Sequence, residues 1–210
     1  MRQVAHHRAE QAFLLIALGS PGLLGSIALV AGAFIAPLFV PDHDWIADTI
    51  SDLAAGRWEI IMDVALYGFA AGLFAVALAG SHAHLGAGGW SVGVVSLAVL
   101  VALVIVIAAH NEYGDGDSEG VVIHIYLVYG LGVFFLLMPS TMAAGMARDH
   151  PGARQALIAL GVLWAVASPV FFFLPTSVDG IYERALGLVA CAMVAVLSLV
   201  FIERGRACLA

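Results

Sequence analysis

Apolar residues fill six long stretches of this chain, and shorter polar stretches separate them. Each stretch is about as long as a helix that crosses a bilayer, which takes about 20 residues. We expect each one to be an α-helix, because an unpaired backbone is too costly in lipid. Since the connections are short, consecutive helices should be antiparallel neighbours in an all-α bundle. The predicted membrane-spanning helices cover residues 12–40, 58–80, 90–109, 121–144, 155–174 and 183–202.

Composition supports one integral membrane domain over residues 1–210. The chain is 62% hydrophobic and 11% charged, whereas soluble domains carry about 25% charged residues. The first apolar stretch is much longer than the core of a signal peptide, which has about 7–15 residues. We therefore expect it to remain as the first helix of a multi-pass protein of the cell membrane.

The basic residues predict the orientation in the membrane. All eight are arginine, and with a cytoplasmic N-terminus only Arg57 and Arg184 lie outside. Positive charge prefers the cytoplasmic side, so both termini are predicted to be cytoplasmic. The absence of lysine excludes chemistry that needs a lysine Schiff base. A net charge of −7 argues against nucleic acid as a partner.

The most polar stretch inside the chain is DWIADTISDL, residues 44–53, between the first two predicted helices. Asp44, Asp48 and Asp52 recur at every fourth position, which places them on one side of a helix, with Ser51 beside them. The pattern predicts a short amphipathic helix at the membrane surface, in the first extracytoplasmic loop.

Several short motifs follow one another in a recognisable order. The acidic stretch contains D-x-x-S-x-L, formed by Asp48, Ser51 and Leu53, and the second helix then reads IIMDVALYGFAAGLF. His124 lies near the start of the fourth helix, and the sixth begins with G-x-x-E-R over residues 180–184. In this combination the chain resembles the bacterial and archaeal membrane proteins called domain of unknown function 998. The resemblance implies six helices and no established activity.

The ionisable residues near the outer ends of the helices predict a polar pocket there. Asp63 and His124 each lie about one turn inside the membrane, where a charge is costly unless it is paired or borders water. We therefore expect Asp63 and His124 to form a pair that Asp48 or Ser51 also reaches. The predicted pocket consists of Asp48, Ser51, Asp52, Asp63, His124, Glu183 and Arg184.

Three interpretations of these residues remain open. Carboxylates at the starts of the second, fourth and sixth helices are favoured by capping and by the helix dipole, and this can be their whole purpose. The favoured function is a binding or assembly role, with a lipid headgroup, a cation or another membrane protein as the partner. The alternative is a metal-dependent hydrolase that acts on a lipid at the outer leaflet.

The hydrolase interpretation depends on few residues. His110, His124 and Asp48 are the candidate ligands for a metal such as zinc, with His43 a further imidazole at the same end, because two histidines and a carboxylate can bind zinc. Ser51 is a candidate nucleophile, which requires a base within hydrogen-bonding distance.

Overall fold

The computed structural model describes residues 2–54, 57–86, 88–109 and 124–209, with side chains from residue 11 onward. Within these ranges the chain forms seven α-helices, three short 3₁₀ turns and no strand. The turns are Ala36–Leu38, Ala143–Met146 and Thr176–Val178. The helices are α1 (Arg2–Ile35), α2 (Ile50–Leu53), α3 (Glu59–Ala83), α4 (Gly89–Ala109), α5 (His124–Met142), α6 (Pro151–Phe171) and α7 (Asp179–Ala207).

All helices except α2 are long and apolar enough to cross a bilayer, which confirms the six predicted spans. Large apolar side chains such as Phe13, Ile27 and Val166 are exposed on the outside of the bundle. Helices that are apolar on all sides are typical of membrane spans, where such side chains face lipid. The observed boundaries differ most at α1 and α7, which extend into the polar ends of their segments. Residues 121–123 of the predicted fourth span lie outside the described part.

The six long helices form a closed ring. Each packs against the next one along the chain, and α7 packs against α1, with a smaller contact between α3 and α7. The closest approaches involve glycine: a Cβ atom at Gly72 would lie 2.8 Å from the Pro21 carbonyl oxygen, and one at Gly205 would lie 2.7 Å from that of Ala12. Small residues let the backbones of neighbouring membrane helices come together in this way. The small residues of α3 therefore serve packing inside this bundle.

The polar connection between α1 and α3 folds over the start of α7. We call residues 43–54 of this connection the docked segment. The backbone N–H of Gly180 donates to the Ala47 carbonyl, and that of Ile181 donates to the Ile46 carbonyl, both at 3.1 Å. The first N–H groups of a helix have no partner within it. The docked segment supplies those partners to α7 and is thereby fixed at one end of the ring.

The docked segment is not the amphipathic helix that the sequence predicts. Only α2, with four residues, is helical. The Asp44 carboxylate accepts hydrogen bonds from the N–H groups of Ile46 and Ala47, and the Asp48 carboxylate accepts one from Asp44. Aspartate side chains that bond nearby N–H groups stabilise turns at the expense of helix. The prediction was therefore wrong for residues 44–49.

The start of α2 is set by a capping box. The Thr49 hydroxyl accepts a hydrogen bond from the Asp52 N–H at 3.1 Å. The Asp52 carboxylate in turn accepts one from the Thr49 N–H at 2.6 Å. Reciprocal bonds of this kind satisfy two backbone donors at a helix start. The Asp52 side chain thus caps its own helix. Its regular spacing from Asp44 and Asp48 does not reflect a continuous helix.

Candidate functional site

A cavity of about 160 Å³ lies inside the ring, at the end that carries the docked segment. Most of its wall is apolar and aromatic. Phe135 and Trp164 pack together with ring centroids 5.1 Å apart. The Trp164 indole N–H donates to the Gly132 carbonyl at 2.9 Å, so the wall has no unsatisfied donor at this position. The other apolar wall residues include Leu29, Leu66, Phe69, Val104, Leu131 and Leu186.

Polar side chains line the cavity near the ends of their helices. Ser51 is in α2, His124 is the first residue of α5, and Glu183 lies near the start of α7. We call these three residues the polar end of the cavity. Ser168, in the last turn of α6, is a further polar residue of the wall. The cavity therefore has an apolar body and one hydrogen-bonding end, which is the arrangement that suits an amphiphilic molecule.

Ser51 and His124 are in direct contact. The Ser51 Oγ atom lies 3.2 Å from the His124 Nε2 atom, although the two residues are 73 positions apart in the chain. With the imidazole proton on Nδ1, the Ser51 hydroxyl donates to Nε2. A hydroxyl next to an imidazole acceptor at this distance is the arrangement that activates serine nucleophiles.

Glu183 holds α2 against the polar end of the cavity. Its carboxylate accepts a hydrogen bond from the Ile50 N–H at 2.6 Å. The Ser51 N–H points at the same carboxylate. The position of the Ser51 side chain is therefore tied to α7 through its own backbone.

Arg184, the next residue, fixes the rest of the docked segment. It is only 6% exposed, and its guanidinium donates to the Asp48 carbonyl at 2.8 Å and to the Trp45 carbonyl at 3.3 Å. The guanidinium carbon also lies 5.4 Å from the centroid of the Trp45 ring. A planar guanidinium can form several directed hydrogen bonds and stack on an aromatic ring at once. Arg184 is thus a structural clamp and does not line the cavity.

His43 completes this clamp. Its Nε2 atom lies 2.9 Å from Nη2 of Arg184, and its Nδ1 atom lies 3.4 Å from the Asp48 carboxylate. Burial is the main cause that lowers the pKa of His43, and the Arg184 charge adds to it, while Asp48, Asp52 and Asp44 oppose the change. The neutral ring can accept from Arg184 and donate to Asp48 together. The pKa of the Asp44 carboxyl is also lowered, by the backbone hydrogen bonds that it accepts.

The lowered pKa of His43 predicts a loss of stability on acidification. The unfolded chain binds a proton at His43 with the ordinary pKa of 6.5, and the folded protein binds it less readily. The free energy of unfolding should therefore decrease as the pH falls through about 6.5 and below. We expect the thermal midpoint in detergent to fall more between about pH 7.5 and 5.5 for the native protein than for His43→Gln, which cannot titrate. His82→Gln, at an exposed site, should keep the native slope; equal slopes for all three proteins would contradict the prediction.

The structure brings together only part of the predicted pocket. Ser51, His124 and Glu183 meet at the cavity, while Asp48 and Arg184 meet beside it and Asp52 caps α2. Asp63 is not among the side chains that line the cavity, whereas His124 is, and the pair of Asp63 with His124 stays a prediction.

Asp63 lies one turn before Leu66, which with Phe69 is what α3 contributes to the cavity wall. Residues three positions apart are neighbours on a helix surface, so Asp63 lies on α3 next to the cavity-lining row without lining the cavity itself. Within the described part of the chain, the Asp63 Oδ1 atom has no hydrogen-bond partner, and Glu59 is the charged group that acts on it. Asp63 lies in the second turn of α3, and its predicted depth in the membrane stays a prediction.

The predicted metal site is only partly described. His110 lies outside the described residues. In the described ranges, no three histidine, cysteine or acidic side chains form a group that could hold a metal ion. His124 contacts Ser51, and Asp48 contacts His43, so these two candidate ligands face different partners.

Sequence reasoning missed the aromatic wall. Phe135 and Trp164 are not among the predicted site residues, yet both line the cavity. Apolar side chains inside and outside a membrane bundle have the same composition, so hydropathy cannot separate them. A usable signal was present in Trp164, whose N–H needs an acceptor wherever it is buried.

The architecture defines the class of this protein. It is a multi-pass membrane protein whose six long apolar helices surround a cavity. The chain belongs to the family described as protein of unknown function DUF998, whose model matches residues 23–200. The match begins in α1, ends in α7 and includes the docked segment and the whole cavity wall. No curated protein and no solved structure matches the chain.

Proposed function

We propose that this protein binds an amphiphilic lipid, with the apolar chain in the cavity and the polar group at Ser51, His124 and Glu183. The observation that carries the proposal is the shape of the cavity, which is apolar and aromatic except at one end. Ligand sites commonly combine an apolar wall with a few polar groups that fix the orientation. A lipid can enter such a site from the bilayer without passing through water.

The volume indicates how much of a lipid the cavity can hold. A dry apolar cavity of about 150 Å³ accommodates benzene in a well-studied engineered case. A cavity of about 160 Å³ therefore accommodates a segment of about six carbons. The ligand that fits is a single chain whose first carbons occupy the cavity while the remainder extends into the bilayer.

The orientation that we propose places this cavity at the extracytoplasmic side of the cell membrane. It follows from the arginine distribution, with Arg148, Arg154, Arg204 and Arg206 at the opposite end of the bundle from the docked segment. Positive residues favour the cytoplasmic side. The lipid would then be drawn from the outer leaflet.

Thiol labelling of intact cells tests the orientation. In a background without Cys191 and Cys208, Ser177→Cys should react with a membrane-impermeant maleimide and Gly88→Cys should not. Both positions are exposed, and they lie at opposite ends of the bundle. After the cells are permeabilised, both should react to the same extent. Labelling of the Gly88 variant alone in intact cells would reverse the orientation.

Filling the cavity tests the binding proposal. A Cβ atom at Gly187 would have only the Ile50 Cδ1 atom nearby, at 3.7 Å, and Gly187 lines the cavity. Gly187→Phe should therefore place a ring in the space that the ligand needs. We expect it to weaken binding of a dansyl-labelled fatty acid by at least about tenfold and to reduce the lipid that co-purifies in mild detergent, measured by mass spectrometry.

Ala185→Phe is the matched control, because Ala185 is on the same helix and is exposed on the outside of the bundle. It adds the same side chain to the lipid-facing surface and should leave binding unchanged. Equal affinity of both variants and the native protein would show that the probe binds elsewhere, and the proposal would fail.

A further inference from the structure

We infer that Ser51 and His124 form a catalytic pair that hydrolyses a carboxylic ester of an amphiphile bound in the cavity. The inference rests on the proposed function, because the cavity has to hold the acyl chain. It deepens that function by assigning a reaction and a substrate class, an ester with a medium or long acyl chain.

The geometry of the pair meets the requirements of a serine nucleophile. The distance of 3.2 Å between Ser51 Oγ and His124 Nε2 is within the range of about 2.6–3.2 Å expected for a nucleophile and its base. Both side chains line the cavity and are partly accessible, so a bound ester can reach the hydroxyl. If the hydrogen bond between Ser51 and His124 only stabilised the fold, the two side chains would not need to line a cavity. Their position at the cavity therefore favours a catalytic role.

The position of Ser51 and His124 in the cavity determines which bond of the substrate lies next to the nucleophile. Ser51 and His124 are at the polar end, whereas Phe69, Phe135 and Trp164 line the apolar body. An acyl chain in the apolar body therefore ends with its carbonyl carbon near Ser51 Oγ. The alcohol part of the ester then extends towards the mouth of the cavity.

The reaction balances with water as the second substrate. His124 Nε2 takes the proton of Ser51 as Oγ attacks the carbonyl carbon, and a tetrahedral intermediate forms. The bond to the alcohol oxygen breaks, and the alcohol leaves with the proton from His124. Water then attacks the acyl-serine with His124 as the base, which releases the carboxylic acid and restores Ser51.

Glu183 is a positioning residue in this scheme. It accepts hydrogen bonds from the backbone around Ser51 and so fixes the direction of the nucleophile. Glu183→Gln can keep an oxygen acceptor for the Ile50 N–H. We expect it to retain more esterase activity than Glu183→Ala, and the difference should appear in kcat more than in KM.

Two measurements on detergent-purified full-length protein test the inference. p-Nitrophenyl octanoate should be hydrolysed with a kcat/KM at least about tenfold above that of p-nitrophenyl acetate, because only the longer chain fills the apolar body. A fluorophosphonate probe should modify Ser51, identified by peptide mass spectrometry. Ser51→Ala and His124→Asn should each lower kcat at least about a hundredfold.

The control is Ser140→Ala, on the same helix as His124, where the exposed hydroxyl bonds only its own helix. It should keep native activity. The labelling of Ser51 in the native protein does not depend on whether the variants fold. If dansyl-fatty-acid binding is lost in Gly187→Phe but the native protein neither hydrolyses octanoate nor labels at Ser51, the catalytic inference is overturned and the binding function stands. If the fatty acid does not bind the native protein, both fail.

Discussion

Replacing Arg184 with alanine is expected to lower the free energy of unfolding by about 3 kcal/mol or more. The change removes the donor that the buried guanidinium supplies to the part-buried carbonyls of Asp48 and Trp45 and to His43 Nε2. Each buried polar group without a partner costs about 1–3 kcal/mol. Reversible unfolding in mixed detergent micelles, or the thermal midpoint, measures the effect.

Arg57 provides the matched control. Its guanidinium also lies over a tryptophan ring, 5.5 Å from the centroid of Trp58, but the residue is exposed. Arg57→Ala should therefore cost less than about 1 kcal/mol. Arg184→Lys should not restore stability, because a single ammonium group cannot replace the directed hydrogen bonds of the guanidinium. Similar losses for Arg184→Ala and Arg57→Ala would contradict the clamp.

The number and order of the membrane helices could be predicted from the sequence because the bilayer imposes a simple rule. Apolar stretches of about 20 residues must pair their backbone internally, so they become helices. α4, which is almost purely aliphatic, was predicted to within one residue at its start and at its end. The docked segment follows no such rule, because the Asp44 and Asp48 carboxylates bond nearby N–H groups and its backbone carbonyls accept from the start of α7.

The candidate site could be predicted only as a set of polar residues at one end of the bundle. The sequence indicated that Ser51, His124 and Glu183 lie at similar depth, and the structure brings these three together at the cavity. It also indicated Asp63, which does not line the cavity although Leu66, one turn further along α3, does. The missing information is the rotation of each helix about its axis, which is determined by packing against neighbours. For α3 that rotation follows from contacts such as Gly72 against Pro21.

The second large effect is expected at Gly180, in the first turn of α7. A Cβ atom there would overlap the Asp48 carbonyl oxygen and would lie 2.6 Å from the carbonyl carbon and 2.9 Å from the Arg184 Nη1 atom. These are mainly backbone atoms that hydrogen bonds hold in place, so the docked segment must move away. We expect Gly180→Ala to lower the free energy of unfolding by about 3 kcal/mol, as severe overpacking does.

Gly187→Ala separates this steric effect from the general effect of glycine in a helix. A Cβ atom at Gly187 meets only Ile50 Cδ1 at 3.7 Å, so alanine should stabilise α7 by about 0.5–1 kcal/mol through lower backbone entropy. The two substitutions are chemically identical and seven residues apart on one helix, yet they should change stability in opposite directions.

The reactivity of a cysteine at position 54 tests whether Gly180→Ala moves the docked segment. Ala54→Cys, at a site that is 5% exposed, is made in a background without Cys191 and Cys208. Its thiol should react faster with a maleimide when Gly180→Ala is present, because the docked segment has left α7, and an unchanged rate would mean that the stability loss has another origin.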